Sequence, residues 1–163
     1  MKKIGLLSDT HVWLNPDIFE FFKDCDEIWH AGDIGNIETA EELERFKPLR
    51  AVFGNIDDAN VRMDYPMIQT FQVEDAKVVM THIGGYPNHY ETFAREVIEK
   101  EKPDMFVSGH SHILKIVYDD RYSLLHVNPG AAGRNGFHRK MTMVRFEIDG
   151  RQFSKMEVYE KDR

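Results

Sequence analysis

Seven residues of types that bind metal ions are spread along the chain, each shortly after a hydrophobic run. They are Asp9, His11, Asp33, Asn55, His82, His110 and His112. Carboxylate, amide and imidazole groups are ligands for divalent metals, and a set of this size is large enough for two ions. Two ions held close together are typical of enzymes that hydrolyse phosphate esters. The residue types therefore predict a dinuclear metal site.

The spacing within the set indicates one shared site. Asp9 and His11 are two positions apart, as are His110 and His112. In extended backbone, residues at i and i+2 point to the same side, so we expect each pair to reach into one cavity. Three candidates directly follow a glycine, at Gly32, Gly54 and Gly109. Glycine permits the sharp turns and close backbone approach that such a site requires.

Hydrophobic patterning predicts the elements that position these residues. Strand-like runs in the first two thirds are Lys3–Ser8, Asp26–Ala31, Leu49–Phe53, Met67–Val73, Lys77–Thr81 and Met105–Ser108. Those in the last third are Ile113–Tyr118, Tyr122–Val127, Met141–Ile148 and Gln152–Val158. Helices are predicted after an Asn15 cap, after an Asn36 cap, and along the apolar stripe from Tyr90 to Ile98. An α/β first half therefore precedes a β-rich second half.

The candidates fall where an α/β sheet binds its ligands, which is beyond the carboxyl ends of its strands. We expect five of them one or two residues past such an end, namely Asp9, Asp33, Asn55, His82 and His110. A length of 163 residues predicts a single domain over 1–163. Two sheets packed face to face, with helices outside, would accommodate the order of the elements.

Composition limits the possible partners and location. The chain has 21 basic and 28 acidic residues, for a net charge of −7, which argues against stable nucleic-acid binding. Its one cysteine, Cys25, allows no internal disulfide. We see neither a signal peptide nor a run approaching the ~18 apolar residues of a membrane span. We therefore expect a soluble cytoplasmic protein without a membrane partner.

The motifs D-x-H, G-D, G-N, H and G-H-x-H, in that order, resemble those of the calcineurin-like metallophosphoesterase superfamily. The short length and Asn128-Pro129-Gly130 resemble its small bacterial and archaeal phosphodiesterase branch, and the resemblance spans about residues 3 to 133. It implies a four-layer α/β/β/α sandwich of two mixed β-sheets flanked by helices, with a dinuclear metal site.

The resemblance also implies a role for each candidate. The first ion would be held by Asp9, His11 and His112. The second would be held by Asn55, His82 and His110. Asp33 would bridge both, and the residues expected to act in catalysis are Asp33, Asn55 and His82. Imidazole ligands without a thiolate favour Mn, Ni, Fe, Co or Zn over Mg, and we expect Mn.

Two positions depart from the family pattern. The segment Gly54-Asn55-Ile56-Asp57 has isoleucine where many relatives have a histidine that is thought to protonate the leaving group. Isoleucine cannot transfer a proton, so we expect dependence on good leaving groups or on another acid. In addition, Ile83 follows His82 where relatives often have glycine, which leaves the shape of that loop open.

The expected function is a metal-dependent phosphodiesterase that hydrolyses a small phosphodiester by in-line attack of a metal-bridging hydroxide. A phosphomonoesterase or a nuclease could use the same site, although extra cationic clamps or a long basic groove are not evident. A third possibility is a non-catalytic protein-binding scaffold of the same fold, as in the eukaryotic retromer complex, where the metal site is degraded. A homo-oligomer is possible.

Several neighbouring residues are assigned lesser roles. We expect His30 to lie in the core or behind the ligands, and Asp57 to cap its turn. Four basic residues in one late loop could contact a phosphate, although such a run is more often solvated surface. They are Arg134, His138, Arg139 and Lys140.

Overall fold

The structure, a computed structural model describing residues 1–163, contains two five-stranded sheets and four helices. The strands are β1 (Lys2–Leu7), β2 (Glu27–His30), β3 (Leu49–Ala51), β4 (Ile68–Val73), β5 (Ala76–Thr81), β6 (Met105–Val107), β7 (Leu114–Asp119), β8 (Leu124–Pro129), β9 (Lys140–Asp149) and β10 (Gln152–Asp162). The helices are α1 (Asp17–Phe21), α2 (Ile37–Phe46), α3 (Ala59–Asp64) and α4 (Thr92–Glu101). None of the helices has the length and apolar character needed to cross a membrane.

Both sheets mix parallel and antiparallel strands. The first has the order β10-β9-β1-β2-β3, in which β1, β2 and β3 run parallel. The second has the order β4-β5-β6-β8-β7, with a parallel centre of β5, β6 and β8. The C-terminal hairpin β9–β10 pairs with β1. The β-rich part of the sequence is therefore divided between the sheets rather than forming a separate half.

The largest hydrophobic cluster lies between the two sheets and includes Leu6 and Trp29 of the first sheet and Met80 and Val107 of the second. Leu7 belongs instead to a cluster with α1 and α2, so successive residues of β1 face opposite sides. A strand buried on both faces reads as a continuous apolar run, which explains the patterning of β1. With α4 packed on the second sheet, the predicted four-layer α/β/β/α sandwich is confirmed.

The structure differs from the local predictions in one additional helix and in two boundaries near the site. Helix α3 was not predicted, although the Asp58 side chain caps it by accepting from the Val61 N–H. Helix α1 begins at Asp17 rather than Pro16, while the Asn15 side chain still accepts from the Asp17 N–H. Strand β3 ends at Ala51 rather than Phe53: the Val52 N–H still donates to the His30 carbonyl of β2, but the Phe53 N–H donates to the Pro66 carbonyl instead of continuing the ladder.

Close packing of α1 on β1 provides a stability test. A Cβ atom at Gly5 would lie 2.7 Å from Cδ1 of the Phe22 ring. Alanine normally stabilises a strand relative to glycine, but overpacking costs about 1–3 kcal/mol. We expect Gly5→Ala to lower the free energy of unfolding in urea by about that amount. Because Phe22→Leu relieves the clash, the double variant should lose less than the sum of the single losses, and strict additivity would contradict this contact.

Candidate metal centre

All seven predicted residues converge at one end of the sandwich, in loops from both sheets. Two compact groups have donor atoms within 4.8 Å of one another: Asp9 with His11 and His112, and Asp33 with His82 and His110. The predicted Asn55 joins the second group, because its Oδ1 lies 3.1 Å from Nδ1 of His110. The histidines at 110 and 112 thus separate into different groups.

The two groups share a boundary at Asp33. Its Oδ2 lies 3.2 Å from Nε2 of His82 and 3.5 Å from Nε2 of His11, which belongs to the other group. In the first group, Oδ1 of Asp9 lies 3.2 Å from Nε2 of His112. Asp33 therefore makes the closer carboxylate contacts to histidines of both groups, whereas Oδ1 of Asp9 lies 3.8 Å from Nε2 of His82.

Three of these donor atoms are buried and make no hydrogen bond: Oδ1 of Asp9, Nε2 of His11 and Nε2 of His82. An unpaired buried polar atom costs about 1–3 kcal/mol, and here the unpaired atoms face one another. Cations bound by the two groups would satisfy all three atoms. The donor set and its geometry therefore fit a pair of divalent metal ions.

In Asp9 and Asp33, one carboxylate oxygen accepts hydrogen bonds from neighbouring loop residues and the other faces the histidines. Oδ2 of Asp9 accepts from the Ser8 hydroxyl at 2.6 Å and from the His110 N–H at 3.2 Å. Oδ1 of Asp33 accepts from the Ile56 N–H at 3.1 Å. These contacts fix the orientation of both carboxylates, as partners behind metal ligands commonly do. The role of Ser8 was not predicted.

The backbone departs from the extended form assumed for the paired residues. Left-handed φ angles occur at Asp9 (56°), His11 (47°), Asp33 (56°), His110 (72°) and His112 (64°). The i and i+2 argument is therefore wrong, and turns rather than a pleat aim these side chains. Non-glycine residues in this region are strained by about 1–3 kcal/mol each and occur preferentially at functional sites.

Glycine is required where the loops approach most closely. A Cβ atom at Gly54 would collide with the Asp33 carboxylate and backbone. At Gly109 it would collide with the Ser8 hydroxyl and lie 3.0 Å from Oδ2 of Asp9. Any larger residue at 54 or 109 would therefore displace a carboxylate of the site.

Asp57 holds two of the loops together. Its carboxylate accepts from the N–H groups of Ile34 (3.2 Å), Gly35 (2.8 Å) and Gly54 (2.7 Å). This confirms its structural role and extends it, because these contacts connect the loop of Asp33 to the loop of Asn55. Asn55 lies farther from its strand than predicted, because β3 ends at Ala51.

Hydrogen bonds on the far side of two rings fix their tautomers. The Ala31 carbonyl lies 2.7 Å from Nδ1 of His82, which must therefore donate. In neutral His82 this leaves the Nε2 lone pair toward Asp33. His30, fully buried, contacts the Thr10 hydroxyl through Nε2 and accepts from the Gly32 N–H. As predicted, His30 lies behind the site.

His138 fixes the tautomer of His112 through a hydrogen bond between the two rings. Nε2 of His138 donates to the Gly133 carbonyl at 2.7 Å, and burial lowers the pKa of His138, so the ring is neutral and its Nδ1 accepts. Nδ1 of His112, at 3.1 Å, is then the donor. Nε2 of His112 is left as a lone pair facing Asp9.

Two other basic residues of that loop, Arg134 and Lys140, are engaged elsewhere. The Arg134 guanidinium stacks 4.2 Å above the centre of the Trp13 ring. Lys140 forms ion pairs with Glu160 and Asp162. Of the basic run, it is His138 that contacts a predicted ligand.

Electrostatics within the site favour a cation. Burial would raise the pKa of Asp9, but the adjacent imidazoles of His11 and His112 outweigh it and hold the pKa well below its usual value. At Asp33, burial would likewise raise the pKa, but the imidazole of His82 outweighs this effect and the pKa is lowered. Asp9 raises the pKa of His11, and the carboxylates raise that of His82 despite its burial. Both carboxylates therefore remain ionised and attract positive charge.

Comparisons with known proteins identify the family of the chain. A model of the calcineurin-like phosphoesterase superfamily domain matches residues 1–151. A probable metallophosphoesterase of Methanothermobacter thermautotrophicus is 32% identical over 117 residues, which cover 67% of this chain and 66% of that protein, slightly less than two thirds of its length.

Two solved structures share the whole fold. A novel archaeal phosphodiesterase has a TM-score of 0.76 at 22% identity, with 96% of this chain and 99% of that chain covered. Vps29 of Chaetomium thermophilum has a TM-score of 0.77 at 14% identity, with 99% and 97% covered. At these identities, the likeness shows the fold alone.

The contact between His112 and His138 can be tested by replacing the acceptor. We expect His138→Phe to leave the tautomer of His112 unrestrained. The ring ¹⁵N chemical shifts of His112 should then change from those of the Nδ1–H tautomer to those of a mixture of the two tautomers. Loss of such a partner weakens metal binding by about 10–100-fold, measurable by calorimetric titration with Mn²⁺. The exposed His89, which contacts no predicted ligand, provides the matched control His89→Phe. Unchanged His112 shifts in His138→Phe would refute the assignment.

Proposed function

The chain belongs to the calcineurin-like phosphoesterase superfamily, and we propose that it is a metal-dependent phosphodiesterase. One observation carries the proposal: two adjacent groups of metal-binding side chains have buried donor atoms that face one another without hydrogen bonds. Such a pair of sites suits hydrolysis of a phosphate ester more than any other common reaction.

We assign the ligands by group. Asp9, His11 and His112 would hold the first ion, and Asn55, His82 and His110 the second. Asp33 would bridge them, supported by its contacts of 3.2 and 3.5 Å to histidines of both groups. With oxygen and imidazole donors and no thiolate among them, we propose Mn²⁺ as the native metal, with Ni, Fe, Co or Zn as the alternatives.

The chain's own residues supply orientation and charge. When bound, two divalent ions lower the pKa of a coordinated water and offset the negative charge of the phosphoryl oxygens. Ser8 and Ile56 hold the two carboxylates through one oxygen each. Asp57 ties together the loops of Asp33 and Asn55. The ligands are thus oriented before substrate binds, which reduces the rearrangement needed during reaction.

The surroundings of His110 favour a diester over a monoester. Cavities of about 330 and 440 Å³ adjoin this residue, with room for organic groups on two sides of a phosphate. Their walls contain a single cationic side chain outside the histidines, Lys115. A terminal phosphate would call for more positive charge than this.

A protein-binding scaffold is the second candidate, because Vps29 shares the fold and function does not follow from fold. Against it stands the complete ligand set, in which all seven residues converge. We further propose a reducing, cytoplasmic location, since the one cysteine, Cys25, is buried and unpaired.

Metal dependence is the direct test of the proposed function. We expect metal-stripped protein to be inactive on bis-p-nitrophenyl phosphate, and Mn²⁺ to restore activity above that on p-nitrophenyl phosphate. Asp33→Asn should lower the restored rate by more than about 100-fold, since even partners behind the ligands contribute about 10–100-fold. Asp120→Asn, on an exposed turn, is the matched control. Metal binding without turnover of either ester would support the scaffold instead.

Ile56 allows a test of the missing acid. Its side chain is 45% exposed, on the loop that holds Asp33. A positioned general acid contributes about 10²–10⁴-fold, so we expect Ile56→His to increase hydrolysis of a dialkyl phosphate while leaving bis-p-nitrophenyl phosphate nearly unchanged. Ile56→Gln controls for polarity and size without proton transfer. Equal rates of the His and Gln variants on the dialkyl ester would argue against this explanation.

A further inference from the structure

A cavity of about 330 Å³ lies directly beside the candidate metal centre, against the outer face of the second sheet. His110 and Gly109 border it on the side of the metal centre, and the loop around Tyr86 forms another wall. Its volume is within the range of about 300–1,000 Å³ found for small-molecule sites. The ligands assigned above use only His110, so the rest of the cavity has no role in that chemistry.

One wall presents a hydroxyl that can only donate. The Oγ atom of Ser111 already accepts from the Ile113 N–H and from the Asn128 side-chain amide, both at 3.1 Å. Asn128 is itself fully engaged, because its amide also donates to Gly109 and its carbonyl accepts from Gly130. The hydrogen of the Ser111 hydroxyl therefore remains for a ligand in the cavity.

The cavity is also lined by a cation, Lys115, and by an aromatic ring, that of Tyr86. Nζ of Lys115 lies 4.3 Å from the centre of the Tyr86 ring, and Lys115 forms no ion pair with any acidic residue. Tyr86 is 43% exposed. Glu91 lies at the same cavity, so its charge balances that of Lys115 and disfavours a charged ligand.

His126 contributes an unpaired group at the cavity. The ring is fully buried, stacks on Phe106 and lines the cavity. Although the Phe106 backbone adjoins the ring, neither ring nitrogen makes a well-aligned hydrogen bond. Burial lowers the pKa of His126 to about 4, so the ring is neutral at pH 7. An unpaired buried polar group of this kind calls for a partner such as a ligand or water.

We propose that this cavity is the subsite for one organic substituent of the phosphodiester, and that it selects an uncharged aromatic ring bearing a hydrogen-bond acceptor. The proposal rests on the proposed function. Tyr86, Ile83 and Ile113 provide flat or apolar contact, and Ser111 and Lys115 donate toward the acceptor. His110 places such a ring next to the reacting phosphate.

The binding test requires no hydrolysis. We use 4-nitrobenzyl alcohol and 4-methylbenzyl alcohol, two neutral ligands that share the ring and the hydroxyl group, of which only the first adds the acceptor oxygens of a nitro group. Titrated into the full chain and followed by amide NMR, the nitro compound should shift Ile83, Tyr86 and Ile113. It should bind about 10-fold more tightly, as expected for one charge-assisted hydrogen bond.

Variants then locate the contact. Lys115→Met should remove the preference for the nitro compound, and Tyr86→Leu should weaken both ligands. Lys47→Met is the matched control, because Nζ of Lys47 also lies over a ring, 5.3 Å from the centre of Phe46, away from the cavity. Kinetically, Lys115→Met should raise KM for bis-p-nitrophenyl phosphate several-fold with little change in kcat.

The outcomes separate the two proposals. Shifts confined to other residues, or equal affinity for the two ligands in the unmodified chain, would overturn the subsite even if the diester is hydrolysed. A Lys115-dependent preference in a chain that hydrolyses no ester would uphold the ring site and refute the proposed function. Preserved KM in both Lys115→Met and Tyr86→Leu would place the substrate outside this cavity.

Discussion

The burial of two carboxylates against unpaired imidazole nitrogens is the constraint on which the rest of the site depends. Asp9 and Asp33 are almost fully buried, and each turns one oxygen toward histidines; that of Asp9 makes no hydrogen bond. The side chains that face these carboxylates are histidines, and neither carboxylate is paired with a lysine or an arginine. A buried charge is costly unless it is paired, so a shared metal cation would stabilise the arrangement. Left-handed backbone, glycines at the closest approaches and the triple contact of Asp57 all maintain this one convergence.

The sandwich makes the convergence possible because each sheet supplies part of each group. Asp9 and Asp33 follow strands of the first sheet, and His82 and His110 follow strands of the second. The apolar cluster between the sheets sets the separation of these strand ends. Packing between the sheets therefore controls distances within the site, and strain in this cluster is expected to reach the candidate ligands.

The sequence predicts the α/β class and the strand-end candidates because patterning is a local signal, and it predicts the four-layer sandwich through the family resemblance of its ordered motifs. It fails where contacts are distant. The end of β3 depends on Pro66, and α3 is short and mostly exposed. The role of His138 could not be predicted either. Two strands separate it in the chain from its partner His112, and the basic residues around it are typical of a solvated surface loop. The extended-backbone argument selects residues that do converge, but for an incorrect geometric reason.

The account is tested most directly by diffraction from crystals of the Mn²⁺-loaded protein, with anomalous scattering used to locate the ions. It predicts two ions at this end of the sandwich, one contacted by Asp9, His11 and His112, the other by Asn55, His82 and His110. Asp33 should contact both. A single ion, or ions bound elsewhere while these side chains keep their positions, would contradict the dinuclear assignment and the phosphodiesterase chemistry inferred from it.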